Sequence, residues 1–474
     1  MTHLIRQQYL NVEFEGTESE GLTLQRRLSG LCYDSLLPAV ERALDRCSTA
    51  DRHLYIERLE IDAGTLPLEG LEHALAESVA RALEKSLREE CPATQGPPRH
   101  KSAPETLAEA FLYFLKTGTL PWSFRLPAGR DLEQALLGCW REMDDSYSRT
   151  IQYAAPGLLA FAPVRKRLVL QFSEPFLETM LALLSSKGLE TVTDVLRRVA
   201  GLSVPSSVIK QLRETVWEAA FAGVAMGGVP TEQDLVARAW RALPLMEPWH
   251  GTLAAGLERQ WPGVTGNVTA SSRPPDGKEP AAPKTGATLP AHATGPETDA
   301  AKVGEHPEAV QGIYVDNAGL VLLHPFLPAL FEALEVAAGD QLLKPGRALC
   351  LLHYLASGET TAPEYRTMLP KILCNVPLQS PVDADVTLTA LELEECAALL
   401  AAAVRHWGAL GNSSADALRG TFLLRQGKLS LRQDGEWLLQ VEASGCDILL
   451  QQLPWGLSMI KLPWMPKMVW AEWS

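Results

Sequence analysis

The spacing of apolar residues divides the chain into a short mixed segment, a helical middle and a mixed C-terminal block. Leu10, Val12 and Phe14 alternate with polar neighbours, which predicts a half-buried strand. Over residues 20–46 the apolar positions Leu24, Leu28, Leu31, Leu36, Val40 and Leu44 recur at helical spacing. Residues 53–62 predict a second strand through the alternation of Leu59 and Ile61 with Arg58, Glu60 and Asp62, broken at Asp62-Ala63-Gly64-Thr65. Leu71, Leu75, Val79, Leu83 and Leu87 then share one face of a long helix. Residues 1–92 thus read as a small β-α-β-α unit, followed by a Pro/Gly-rich hinge over 91–104.

Residues 104–261 read as mostly helical. A helix over 108–118 ends at Gly118, and further helical periodicity runs over 175–185, 191–202, 206–222 and 231–243. The stretch 262–309 is rich in Pro, Ala, Gly and Thr and holds almost no large apolar side chain. It cannot offset the entropy of ordering its backbone, so a disordered linker is expected there. The block 310–474 predicts helices over 347–356, 364–374, 388–407 and 414–424. Two alternating strands flank Asp434-Gly435, a strong hairpin signal. The fold class that follows is α+β and multidomain. Segment 111–118 also echoes 351–358, each a Leu-rich helix running into a glycine; coincidence and a duplicated helix-turn are both compatible with this.

Composition narrows the functions without choosing one. The 474 residues, 46% hydrophobic and 21% charged, are those of an ordinary globular protein. A formal net charge of −14 argues against binding a phosphate backbone, so no nucleic-acid partner is expected. No run of eighteen apolar residues predicts a membrane span, and no signal-peptide core opens the chain. The eight cysteines are scattered without a CxxC pair, as buried thiols of a reduced cytosol would be. A soluble cytoplasmic product is the expectation.

Candidate chemistry is sparse. The chain contains no GxGxxG, GxxxxGK[ST], GxSxG or HExxH pattern, and no catalytic, cofactor-binding or metal residues are assigned. His324, followed by Pro325, could serve a metal or a proton transfer. No second ligand stands at helical or hairpin spacing, so a packed histidine is the better reading, and the same holds for His353 and His406. Asp144-Asp145 reads as a solvated helix end. Asp316-Asn317-Ala318-Gly319 reads as a tight turn in which Gly319 tolerates positive φ, and residues 412–416 as a helix N-cap through Ser413 or Ser414. Three Leu-Pro-Trp corners stand out, at Trp122, Trp455 and Trp464; each fixes the backbone just before an indole. The last pair punctuates two expected short strands, 448–453 and 457–462, and so reads mainly as core. Trp470 and Trp473, with Trp122, are the candidate contact surface.

Several blocks, taken in order, resemble the contractile injection system tape measure protein family. They are Asn317-Ala-Gly-Leu-Val-Leu-Leu-His-Pro-Phe-Leu-Pro328, residues 351–359, 371–375 and 418–429, and the tail 447–455 with Trp455 and, beyond it, Trp464. Residues 53–64 and 114–122 are similar to that family as well. Its members are associated with extracellular phage-tail-like particles whose sheath drives an inner tube through a target membrane. The resemblance implies a non-enzymatic role in setting tube length, with tube and baseplate proteins as partners. It implies assembly in the cytoplasm, carriage within the released particle, and no cofactor. A second reading is an adaptor or chaperone for tube or baseplate subunits that is absent from the mature particle. A ruler should be long and thin, whereas these apolar residues are spent on compact domains.

Overall fold

The computed structural model describes residues 3, 5, 8–14, 16–47, 52–56, 59–88, 99–127, 129–141, 145–244, 248–266, 312–384 and 386–473. Most of the expected linker, from residue 267 onward, lies outside the described residues, as does Asp144. Two compact units are present: one of Met1–Leu112 and Leu120–Tyr153, the other of Tyr113–Thr119 and Ala154–Ser474.

In the first unit the helix Glu18–Leu31 begins at a capping box. The Thr17 backbone N–H donates to the Glu20 carboxylate at 2.8 Å, and the Thr17 hydroxyl accepts from the Glu20 N–H. The helix runs on through a single wide turn, Cys32–Leu36, into Leu37–Cys47. Leu24 and Leu31 pack with Leu71 and Leu75, while Leu36, Val40 and Ala43 pack with Leu83 of the helix Leu71–Arg88. The two helices therefore advance in the same direction.

The strand expected at 10–14 does not form. Residues 8–14 make no ladder, and Leu10 and Val12 are exposed. The second expected strand is shorter and earlier than its pattern. Strand β1 is Arg52–Tyr55, and it pairs antiparallel with β2, Arg99–Ser102, a segment assigned above to the hinge. Leu59 and Ile61 still point into the helix pair, without a ladder. Alternation reports which side chains face a core; it does not supply the partner strand that a ladder requires.

In the second unit each helix buries one stripe at i, i+3, i+4 spacing. Phe176, Leu177, Met180 and Leu181 lie on Glu174–Leu184, and Val192, Val195, Leu196 and Val199 on Ser186–Ala200. Val208, Leu212, Val216 and Trp217 lie on Ser206–Ala225. The helices Ala103–Thr117 and Pro345–Ser357 both end at left-handed glycines, Gly118 (φ 81°) and Gly358 (φ 77°), which gives the sequence echo a shared cap geometry.

The C-terminal sheet has five strands in the order β3-β6-β7-β9-β8: β3 is Ile313–Val315, β6 Gly427–Leu431, β7 Trp437–Val441, β8 Met459–Ile460 and β9 Val469–Trp473. A separate two-stranded ribbon joins β4, Ala337–Ala338, to β5, Gln341–Leu342. All pairs in the large sheet are antiparallel except β7 with β9. The β6–β7 hairpin turns at Asp434-Gly435, where Gly435 has φ 81°. Of the two short strands expected around Trp455, the first is instead a 3₁₀ helix, Gly445–Gln452. It starts at a capping box in which the Ser444 N–H donates to Asp447 at 2.8 Å. The second shrinks to the two residues of β8.

Candidate functional site

The register of the sheet settles which way each terminal tryptophan faces. Ile313, Leu429, Leu439, Val441, Val469 and Ala471 form the face turned to the core. Trp473 shares that face and packs against the core, with the Arg425 guanidinium 5.5 Å from its ring. Arg425 is held in turn by Asp447 at 2.7 Å. Trp470 lies on the opposite face. There a row runs Ser430–Leu438–Trp470–Met459 across four strands, and the next row runs Tyr314–Lys428–Gln440–Glu472. Met459, Gln440 and Glu472 are exposed, and Leu438 and Trp470 half-buried. The Arg432 guanidinium sits 5.1 Å from the Trp470 ring, a cation–π contact that leaves the apolar centre of the face with a charged rim. Trp122, in the other unit, is half-buried beside the turn in which the Phe124 N–H donates to the Pro121 carbonyl.

The other two corner tryptophans clamp the segment that opens the C-terminal block. The Trp455 indole N–H donates to the Leu322 carbonyl at 3.0 Å, and its ring meets Phe326 edge-on at 5.2 Å. Trp464 is buried; it donates to the Leu373 carbonyl at 2.8 Å and stacks on Phe331 at 5.3 Å. Each satisfies its one donor while filling a gap between the 3₁₀ helix Ala318–Leu323, the helix Leu327–Ala333 and the helix Met368–Leu373.

Within that segment the buried Asn317 amide donates to the Arg366 carbonyl at 2.9 Å. Gly319 does not have the positive φ that the turn reading expected. It is required by close approach: a Cβ there would lie far inside contact with the Phe422 carbonyl oxygen, 2.6 Å from its carbon and 2.9 Å from Leu423 Cα. His324 is half-buried, with Nδ1 donating to the Val321 carbonyl at 2.9 Å, and burial lowers its pKa. Pro325 is exposed beside it. Ser414 caps the helix Ala415–Leu418 by accepting from the Ala417 N–H at 3.1 Å. Among the described cysteines Cys350, Cys374 and Cys396 are buried and Cys32, Cys47 and Cys139 half-buried, whereas Cys446 is exposed, unlike the uniform burial expected.

His353 is buried, and burial, aided by the Arg366 charge, pushes its pKa down to about 4; the Glu359 carboxylate, 3.8 Å away and more than half exposed, does not offset this. The folded chain thus holds a neutral imidazole that the unfolded chain protonates below about pH 6.5. Its contribution to stability is full above that pH and is lost as pH falls towards 4. Titration from pH 7 to 4 is expected to cost roughly 3 kcal/mol through this group alone. Urea unfolding across that range, with His353→Gln alongside, reads it: the variant should flatten the acid limb by that amount.

Sequence reasoning missed a charged cluster inside the second unit. Arg167, on the helix Ala162–Gln171, pairs with Glu364 through two bonds, Nε to Oε2 at 2.8 Å and Nη2 to Oε1 at 3.0 Å. Lys371 Nζ reaches Glu364 Oε1 at 2.6 Å. All three side chains are at most 1% exposed. The signal was a lone charge inside an apolar run, as in Met368-Leu-Pro-Lys-Ile-Leu373. Among the described residues no group of three or more His, Cys, Asp or Glu side chains is placed to hold a metal, and no helix is long and apolar enough to cross a membrane.

Taken together, these features define a multidomain α+β protein with one open sheet face and a signature segment that serves packing. A model of the contractile injection system tape measure protein family matches residues 2–473, nearly the whole chain, and the chain belongs to that family. No curated protein and no solved structure matches it.

Proposed function

We propose that the chain acts without catalysis in building the tail tube, as a tape measure or tube-length factor that is made in the cytoplasm and stays with the particle. The observation that carries this is the extent of the family match, which takes in both folded ends and the stretch between them. Its partners on this reading are tube and baseplate proteins, met through the open sheet face centred on Trp470. An amphipathic aromatic with Arg432 against its ring and Lys428 and Glu472 in the neighbouring row has the composition of an interface centre with a polar rim. Trp470→Ala is expected to melt close to the wild type, because the ring lies on the solvent side of the sheet, while yielding markedly fewer intact particles in the producing cell. Unchanged particle number and length would remove that face from the account.

One observation favours the second reading, an adaptor or chaperone for tube or baseplate subunits. The longest described helix, Ser206–Ala225, has 20 residues and spans about 30 Å, which is short for a ruler. On this reading the chain leaves before the particle is complete.

A further inference from the structure

The buried charge cluster sits where the helices that precede the Pro/Ala-rich stretch meet the body that follows it. Helix Ala162–Gln171 lies along the chain segment 362–384. Besides its two bonds to Glu364, Arg167 donates Nη1 to the Leu115 carbonyl at 2.7 Å and Nη2 to the Gln379 carbonyl at 2.8 Å. Lys371 donates to the Leu378 carbonyl at 2.8 Å. Gln171 accepts from the Glu364 backbone N–H at 2.7 Å and donates to the Val382 carbonyl at 2.8 Å. The Ala384 N–H donates to the Leu170 carbonyl at 3.2 Å, and Lys210 pairs with Asp383 at 3.0 Å at the rim. By contrast, among the described residues the apolar core of the C-terminal body draws its side chains from 313–473. The heart of this join is therefore polar, and parting it leaves that apolar core intact.

We propose that Arg167, Glu364 and Lys371 form a latch: this cluster, rather than the chain connection through 267–311, holds the helical part of the second unit to its C-terminal body. One carboxylate serves two buried cations, so Glu364 is the member on which the others depend. Removing its charge leaves a guanidinium and an ammonium in a dry site with only neutral oxygens as partners, which is strongly unfavourable. The ring of Phe114 meets Tyr365 at 5.9 Å beside the cluster and is a competing apolar contribution to the join.

The test inserts a specific protease site within 267–311 of the full-length chain, cuts it, and follows the two pieces by size-exclusion chromatography. Cut wild type should elute as one species containing both pieces. Cut Glu364→Gln should separate into two species, with association weakened about a hundredfold or more. Should Glu364→Gln fail to fold, Gln171→Ala leaves all three charges in place and removes two hydrogen bonds across the join, with a weakening of roughly tenfold expected. Wild-type pieces that part on cutting would overturn the latch. So would cut Glu364→Gln pieces that stay as tightly joined as the wild type, which would assign the join to apolar contacts such as Phe114 with Tyr365. If only Gln171→Ala is measurable, pieces joined as tightly as the wild type overturn it equally.

Discussion

Gly319→Ala is expected to destabilise the C-terminal body by about 4 kcal/mol or more, an exceptional cost for adding one methyl group. The added Cβ would press on the Phe422 carbonyl and on Leu423 Cα, and these are backbone atoms, not the far end of a side chain that could swing aside. Nor can the glycine itself move freely. The Ala318 N–H beside it donates to the Arg425 carbonyl at 2.9 Å, and Leu320 to Leu323 behind it are all buried. Relief therefore requires the 3₁₀ helix Ala318–Leu323 to pull away from the wide turn Arg419–Leu423, opening the core between them. Denaturant unfolding of the purified variant reads the loss. A change below about 1 kcal/mol would mean that this approach is much looser than described.

Trp464→Ala is expected to cost about 3–5 kcal/mol, the range for emptying a large aromatic site in a packed core. Two contributions act together. The stack on Phe331 is lost and a cavity remains beside it, while the Leu373 carbonyl loses its indole donor. Trp464→Phe separates them, since it keeps most of the ring contact and removes the N–H; it should recover more than half of the loss. Trp455→Ala provides the comparison. Its ring is half-buried and meets Phe326 edge-on, so a smaller cost is expected from the same triplet in a wetter setting.

These two positions also show what was readable along the chain. Features whose cause is local are plain: the Asp434-Gly435 hairpin, the glycine caps at Gly118 and Gly358, and an N-cap at Ser413 or Ser414, which the fold assigns to Ser414. Each is set by the conformational freedom or the hydrogen-bonding reach of a few neighbouring residues. The 3₁₀ helix Gly445–Gln452 is also written locally, in the capping pair Ser444 and Asp447, whereas the apolar residues of 448–453 by themselves fit a short strand. Residues 8–14 failed for the opposite reason, because a strand depends on a partner elsewhere in the chain. Long-range chemistry left the faintest trace. Arg167 and Glu364 stand 197 positions apart, and nothing in their immediate neighbours marks either as buried; only Lys371, alone within Met368–Leu373, carries such a trace. The sequence offers both tail tryptophans as contact surface, yet pairing β7 with β9 in parallel register turns Trp470 outward and Trp473 inward. A period of two separates neighbours three apart onto opposite faces, and that follows once the strand is known to include both.

The family signature takes on a physical meaning in this arrangement. Asn317, Gly319, Trp455 and Trp464 are far apart in sequence, but they belong to one packed neighbourhood in which two indoles pin the segment around Gly319. What they secure is the shape of the C-terminal body and, with it, the sheet whose outer face carries Trp470. On the proposed reading the two Leu-Pro-Trp corners build the platform, and the outer row Leu438–Trp470–Met459, half-buried except for the exposed Met459, is what a tube or baseplate subunit would meet.

The measurement that bears most directly on a tube-length factor retained in the particle is a mass-spectrometric count of this chain in purified, assembled particles. A retained length factor would be present at a low copy number that is the same from one preparation to the next and independent of how strongly the chain is expressed. Particles of normal length that contain none of it would contradict the account and leave the chain as an adaptor that departs before assembly is complete.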